Sequence, residues 1–271
     1  MNETARTGES KDPGAVERCR RIRKRIIELS HVARSAHLGS SLSCVEIIDA
    51  VLAASNVRAN TVRRPDRDRI VFSKGHAAMA YYSALEAWGL LDPQLLAGYL
   101  QDGTSLWGHV TCTDLVPAID VSTGSLGHGL GLAVGFALGH RLRGHRNNIF
   151  CILSEGDCDE GATWEAALFA GHHQLDAMVA IIDYNKIQSI GTTKEVLDLE
   201  PLARKWEAFR WSVARVDGHE RAALSEALLA GTSGQPRVII ADTVKGKGIP
   251  RIEHTVASHY HPAKAEDLQF E

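Results

Sequence analysis

Short apolar runs alternate with amphipathic stretches along most of the chain. Asn148 to Leu153 (NIFCIL) and Met178 to Tyr184 (MVAIIDY) are rich in β-branched and aromatic residues and too short for stable isolated helices, so both read as buried strands. Between them Trp164, Leu168 and Phe169 recur at helical spacing, and Glu160 sits early, where a helix N-terminus favours negative charge. The unit is strand, loop, helix, strand. Further strands are expected at Asp68 to Ser73 (DRIVFS), in WSVARVDG and in RVIIADT, with helices in PLARKWEAF and through Leu229. Val16, Cys19, Ile22, Ile26 and Leu29 recur every three or four positions, predicting a helix over Ala15 to Ser35 with a solvated basic face. This alternation, without linker, repeat or low-complexity stretch, predicts one α/β domain with a parallel sheet flanked by helices.

Parallel strands joined by crossover helices put their ligands in the crevice beyond the carboxyl ends of the strands. Glu155 follows the first strand of the unit and Asn185 the second, thirty positions later. Neighbouring strand ends lie roughly 5 Å apart, or roughly 10 Å with one strand between. A carboxylate, an amide oxygen and a backbone carbonyl are then within reach of one hard cation, Mg²⁺ or Ca²⁺, with phosphate oxygens completing its shell. From these local features alone, an ordinary βαβ unit with a capping loop remains equally open.

Other polar residues fall in comparable places. His37 precedes Gly39 and three serines, read as a loop before a helix starting near Ser43, where Ser43 and Glu46 have capping-box spacing. His76, in SKGH, stands at a helix start beyond a strand, where free N–H groups and the dipole favour a phosphate. Gly127, Gly131 and Gly135 share one helical face; a helical glycine costs roughly 1 kcal/mol relative to alanine, so that face is expected to pack closely against another backbone or a cofactor. There is no G-x-G-x-x-G between strand and helix, and KGKG at 245–248 lacks the Walker spacing.

Composition narrows the classes. The 271 residues suffice for one large core, and 44% hydrophobic with 23% charged content is ordinary for a soluble protein. A formal net charge of -3 leaves no basic footprint for nucleic acid. Five scattered cysteines without a C-x-x-C pair suggest reduced thiols in the cytoplasm, and the apolar stretches are too short for a membrane span. Residues 1–14 are polar and read as a disordered leader, leaving 15–271 as the domain.

The order SEGDCDEG, WEAALFA and DYNKIQ resembles the thiamine diphosphate motif of transketolases. The resemblance runs from about Arg18 to Pro262 and implies the fold of the diphosphate-binding domain of thiamine diphosphate enzymes. In that family a Gly-Asp-Gly loop and a later Asn hold the metal, with a backbone carbonyl two residues beyond the Asn. Carried over, Glu155 takes the Asp position, Gly156 the second Gly, Asn185 the Asn and Ile187 the carbonyl, while Ser154 replaces the first Gly. Asp157 offers a competing alignment, set aside because it shortens the distance to Asn185 by two and misplaces Glu160-Gly161.

The resemblance also implies catalytic roles for His37, His109 and His259 near the reacting carbon. It places His76 and His259 at the diphosphate, and Gly124 and Leu126 beside the aminopyrimidine and thiazolium. Pro117-Ala118 departs from the family's proline-glycine, and His254 and His261 have no counterpart. The implied activity is transfer of a two-carbon ketol unit from a ketose or its phosphate to an aldose, with thiamine diphosphate and Mg²⁺ or Ca²⁺. The implied partner is a separate pyrimidine-domain and C-terminal subunit, two copies of which join a dimer of this chain in a heterotetramer. Another thiamine-dependent ligase or lyase half, such as a deoxyxylulose-phosphate-like synthase, or a non-catalytic cofactor-binding homologue, are the alternatives.

Overall fold

A computed structural model describes residues 13–231 and 234–270. The expected leader falls outside them as far as residue 12, but Pro13 and Gly14 already belong to the first helix, α1 (Pro13–Ala33). There follow α2 (Leu38–Ser43), α3 (Val45–Ala54), β1 (Arg69–Phe72), α4 (Ala78–Ala87), α5 (Pro93–Ala97), α6 (His128–Leu142) and β2 (Ile149–Ser154). The chain continues through α7 (Gly161–His172), β3 (Met178–Tyr184), α8 (Thr193–Val196), α9 (Leu202–Ala208), β4 (Ser212–Asp217), α10 (Arg221–Leu229) and β5 (Arg237–Asp242). Every expected strand is present.

The strands form one parallel sheet in the order β1-β2-β3-β5-β4. The two strands of the central unit are direct neighbours, with Ser154 opposite Asp183, so the nearer of the two expected spacings holds. Because β2, β3 and β5 are inside the sheet, both their faces are apolar and they read as unbroken hydrophobic runs. The edge strand β4 is only half-buried.

Two cores cover the two faces. Val134, Ala137, Ala167, Leu202 and Trp206 of α6, α7 and α9 pack on one side. Ile22, Ile47, Leu85 and Leu224 of α1, α3, α4 and α10 pack on the other. Connections from β1 to β4 advance across the sheet, whereas the β4 to β5 connection steps back; a crossover of constant right hand must then change faces, and α10 does. The reversal puts the chain leaving β3 and the chain leaving β5 on opposite sides of a crevice.

Several local expectations are corrected. Leu38–Ser43 is a buried helical turn rather than a loop, and the Ser43–Glu46 capping box does not form, since Cys44 caps α3 without a side-chain bond. Instead the Ser43 hydroxyl donates to Asp183 at 2.6 Å, and Glu46 pairs with Arg23 and with His219 at 3.0 Å. Tertiary partners win over the local cap. The basic face of α1 is likewise not wholly solvated: Arg18 bonds to Asp49 and Arg23 is buried against Glu46. Of the glycine face, Gly127 caps α6 at φ 83°, where a Cβ would meet that of Glu160 at 2.5 Å, but Gly131 and Gly135 are exposed, and an added Cβ there would meet no described residue beyond its own stretch of helix. Leu168 and Phe169 lie on α7, as their helical spacing implies, but are 55% and 40% exposed.

Candidate active site

The carboxyl ends of β2, β3 and β5 open into a cavity of about 220 Å³. Glu155 and Gly156 enter it from the turn after β2, Asn185, Ile187 and Gln188 from the loop after β3, and Lys245 from the segment after β5. His76, Gly124, Leu126 and His259 line the rest, together with Ser40 and Lys74. His76 sits in a 3-10 turn (Gly75–Ala77) ahead of α4, not in the first turn of that helix.

The turn Glu155–Asp159 shows why two acids so close in sequence differ in kind. Asp157 is fully buried, and its carboxylate accepts from the Ser73 hydroxyl (2.6 Å), the Gly127 N–H (2.9 Å), and the Ser154 N–H and hydroxyl (both 2.8 Å). It is a structural cap holding α6 to β2. Glu155 is 3% exposed, and its Oε2 is buried without a hydrogen-bond partner. Burial, with Asp183 close by, pushes its carboxyl up to about 8, against the opposing pull of Lys74. An orphaned buried carboxylate oxygen is costly unless a cation completes it.

The neighbouring groups suit that cation. The Asn185 Oδ1 accepts the Ile187 N–H at 3.2 Å and its amide nitrogen reaches Asp183 at 3.4 Å, so the side chain is held with its oxygen on the Ile187 side. The Ile187 carbonyl accepts from Lys245 Nζ at 2.7 Å. Asp183 forms a wholly buried ion pair with Lys74 and also takes the Ser43 and Thr243 hydroxyls, which hold its carboxyl below the usual range despite burial. Asp183 is therefore engaged in structure, leaving Glu155, Asn185 and the Ile187 carbonyl as an all-oxygen set that fits a hard divalent ion. Among the described residues no group of three His, Cys, Asp or Glu is placed to hold a metal, so an imidazole- or thiolate-rich site of the zinc kind has no donors here.

Four histidines from four distant segments meet at the mouth. The His37 ring centroid lies 4.7 Å from that of His259, 5.4 Å from His76 and 5.8 Å from His109. The His37 backbone is left-handed (φ 68°) and its N–H donates to the His259 carbonyl at 2.7 Å, which ties the two segments together. Gly124 is required beside them: at φ 150°, a Cβ there would stand 2.8 Å from the His109 ring. Burial, then His109 and Lys245, lowers His37 to about 4; burial, then Lys245, lowers His259 to about 3; burial and Lys74 hold His76 well below its ordinary value. These are neutral imidazoles at pH 7, able to accept a proton or a hydrogen bond.

All ten residues named from the sequence for this site are thus brought to one region. Sequence reasoning passed over Lys74, Lys245, Ser40 and Gln188. The signal was present for the lysines: each sits beside a glycine just past an apolar strand, in SKGH and in VKGKG, where a cation has no surface reason to be. Burial lowers Lys245 to about 8 while Glu155 opposes the shift, and its Nζ lies 3.4 Å from His259 Nδ1.

Residues 16–270 match the family model described as "Transketolase, thiamine diphosphate binding domain". The chain belongs to the transketolase family. It is 40% identical over 241 residues to the 6-deoxy-6-sulfo-D-fructose transketolase subunit of a Clostridium species, covering 88% of this chain and 87% of that one. It is 34% identical over 250 residues to an apulose-4-phosphate transketolase subunit of Phocaeicola vulgatus, covering 91% and 88%. The crystal structure of transketolase from Campylobacter jejuni superposes with a TM-score of 0.83 at 29% identity, over 93% of this chain and 40% of that one. This transketolase-family chain spans about two-fifths of the length of such solved enzymes. The expectations of the fold, of thiamine diphosphate as cofactor and of a transketolase-type transferase subunit agree with these matches, which favour them over the deoxyxylulose-phosphate-like alternative.

Proposed function

We propose that this chain is the diphosphate-binding subunit, residues 15–271, of a split transketolase that moves a two-carbon ketol unit between sugars or sugar phosphates, in the cytoplasm. The observation that carries the proposal is the orphaned Oε2 of Glu155, buried at the carboxyl edge of the sheet beside Asn185 and the Ile187 carbonyl. When bound there, thiamine diphosphate supplies the nucleophilic carbon that holds the two-carbon unit. Glu155, Asn185 and the Ile187 carbonyl would hold its metal. Gly156 and Leu126 line the wall they share, where a Cβ on Gly156 would press on Leu126 at 3.0 Å. The Lys245 ammonium and the His76 ring line the same cavity and would face its phosphate oxygens. Around the mouth, the neutral imidazoles of His37 and His259, with the His109 ring beside them, accept or share hydroxyl hydrogens of the sugar. Five free cysteines among the described residues accord with a reducing compartment, and none of the described helices is long and apolar enough to cross a membrane.

A second chain would complete the site. Glu155 is the only acid among the described residues lining the cavity, so a carboxylate to activate the aminopyrimidine must come from elsewhere. The face of α6 and α7 that bears Gly131, Leu132, Gly135, Leu168 and Phe169 is exposed and apolar, and Trp107 and Ile190, each two residues from a site residue, are 56% and 76% exposed. A pyrimidine-domain subunit and a second copy of this chain would cover these surfaces in a heterotetramer. The relatives named as subunits support this organisation. Purified alone, the chain should bind thiamine diphosphate weakly and show no ketol transfer; addition of the partner subunit should restore both. Robust turnover by the isolated chain would sink the two-chain reading.

A further inference from the structure

One ligand of the candidate metal site has no side chain to steer it. The Ile187 carbonyl belongs to the peptide plane shared with Gln188, so its direction follows whatever holds residue 188. The backbone N–H of Gln188 is fixed by the Gly191 carbonyl at 2.8 Å, closing a turn also marked by the Ile187–Thr192 bridge. Its side chain is fixed by a different element. Gln188 Nε2 donates to Asp159 Oδ2 at 2.6 Å, twenty-nine residues away in sequence. Asp159 is the last residue of the 3-10 turn that begins with Glu155. The bond therefore joins the loop carrying Asn185 and Ile187 to the turn carrying Glu155.

The Asp159 carboxylate is poorly served by the fold alone. Its Oδ1 is buried without a partner, and among the described residues no cation pairs with it. A group that loses hydration for a single hydrogen bond contributes little to stability, so its effect is sought in the site it spans. The bond also settles which end of the carboxamide is which. A carboxylate accepts only, so Nε2 must face Asp159, and Gln188 Oε1 is left as the free acceptor of a side chain that lines the cofactor cavity.

We propose that Asp159 and Gln188 form a clasp that sets the spacing of the two metal-ligand segments, making Asp159 a positioning residue for cation and cofactor binding. The inference rests on the metal-site reading under Proposed function. A backbone-carbonyl ligand tolerates little error, because Mg²⁺ demands near-octahedral oxygens at roughly 2.1 Å. Side chains that orient metal ligands typically change metal affinity about 10- to 100-fold when removed.

The test uses the chain assembled with its partner subunit, with Mn²⁺ followed by electron paramagnetic resonance and thiamine diphosphate by tryptophan quenching. Asp159→Ala and Gln188→Ala should each raise the half-saturating Mn²⁺ concentration about tenfold, equivalent to about 1.4 kcal/mol. Their double variant should be no worse than the poorer single, since both remove the same bond. Asp159→Asn, which can still accept from Gln188, should recover most of the affinity, and the urea midpoints of all four should match the wild type. Wild-type binding with an unaffected Asp159→Ala, or additive losses in the double variant, would overturn the clasp while leaving the metal site standing. A wild-type assembly that takes up neither Mn²⁺ nor thiamine diphosphate would overturn the metal-site reading and the clasp with it.

Discussion

Glu155 and Asp157 lie two residues apart, both buried, and alanine should separate them by opposite signatures. Asp157→Ala strands four donors, two of them backbone N–H groups of Gly127 and Ser154. Hydroxyls can rotate to other acceptors, but the two N–H groups cannot, and each unsatisfied donor costs about 1–3 kcal/mol. The expected loss is therefore of order 4 kcal/mol, a fall in Tm of roughly 8–16 °C at about 2–4 °C per kcal/mol for a domain of this size. Glu155→Ala removes a carboxylate whose Oε2 has no partner and whose charge is opposed by burial, so Tm should stay level or rise. Metal-dependent cofactor binding should instead collapse. Calorimetric melting of both variants, paired with Mg²⁺-dependent titration of thiamine diphosphate, reads the two axes separately. An Asp157→Ala protein that melts like wild type yet loses the cofactor, or a Glu155→Ala protein that binds it normally, would refute the assignment and move the metal ligand to Asp157.

Other expectations follow from single features. The Glu46 carboxyl is pushed up by burial but pulled further down, to about 2 from 4.5, by His219 and Arg23; its contribution, of order 3 kcal/mol, is present above about pH 4.5 and lost as pH falls toward 2. Urea midpoints of wild type and Glu46→Gln should converge through that window, and parallel curves would count against it. Gly135→Ala should stabilise the isolated chain by up to about 1 kcal/mol, since an added Cβ meets nothing here, yet weaken assembly seen by sedimentation; unchanged assembly would remove this face from the interface. His37→Asn and His259→Gln, assayed with the partner subunit, should lower kcat by about 10²-fold or more with little change in Tm, Asn being chosen because position 37 is left-handed. Full activity in both would take these rings out of the chemistry.

The fold was legible because its inner strands are buried on both faces: a parallel sheet writes these as continuous apolar runs, and NIFCIL, MVAIIDY and RVIIADT each became a strand. The ligand loops were legible for the same reason, since position after a strand places a residue at the sheet edge whatever its neighbours do. What pattern left undecided was partnership. Ser43 has capping-box spacing to Glu46, but Asp183, 140 residues away, offers its hydroxyl a buried carboxylate instead. Asp157 and Glu155 look alike in SEGDCDEG; only the arrival of Ser73 and the start of α6 saturates one and leaves the other open. His37, His76, His109 and His259 each read as a lone loop or helix-start histidine, and the burial that keeps His37, His76 and His259 neutral exists only once separate segments converge. Local spacing fixes which backbone a residue sits on, because helix and strand periods are short; desolvation and hydrogen-bond supply depend on atoms far away in sequence, and those alone decide which polar group is structural and which is left to bind.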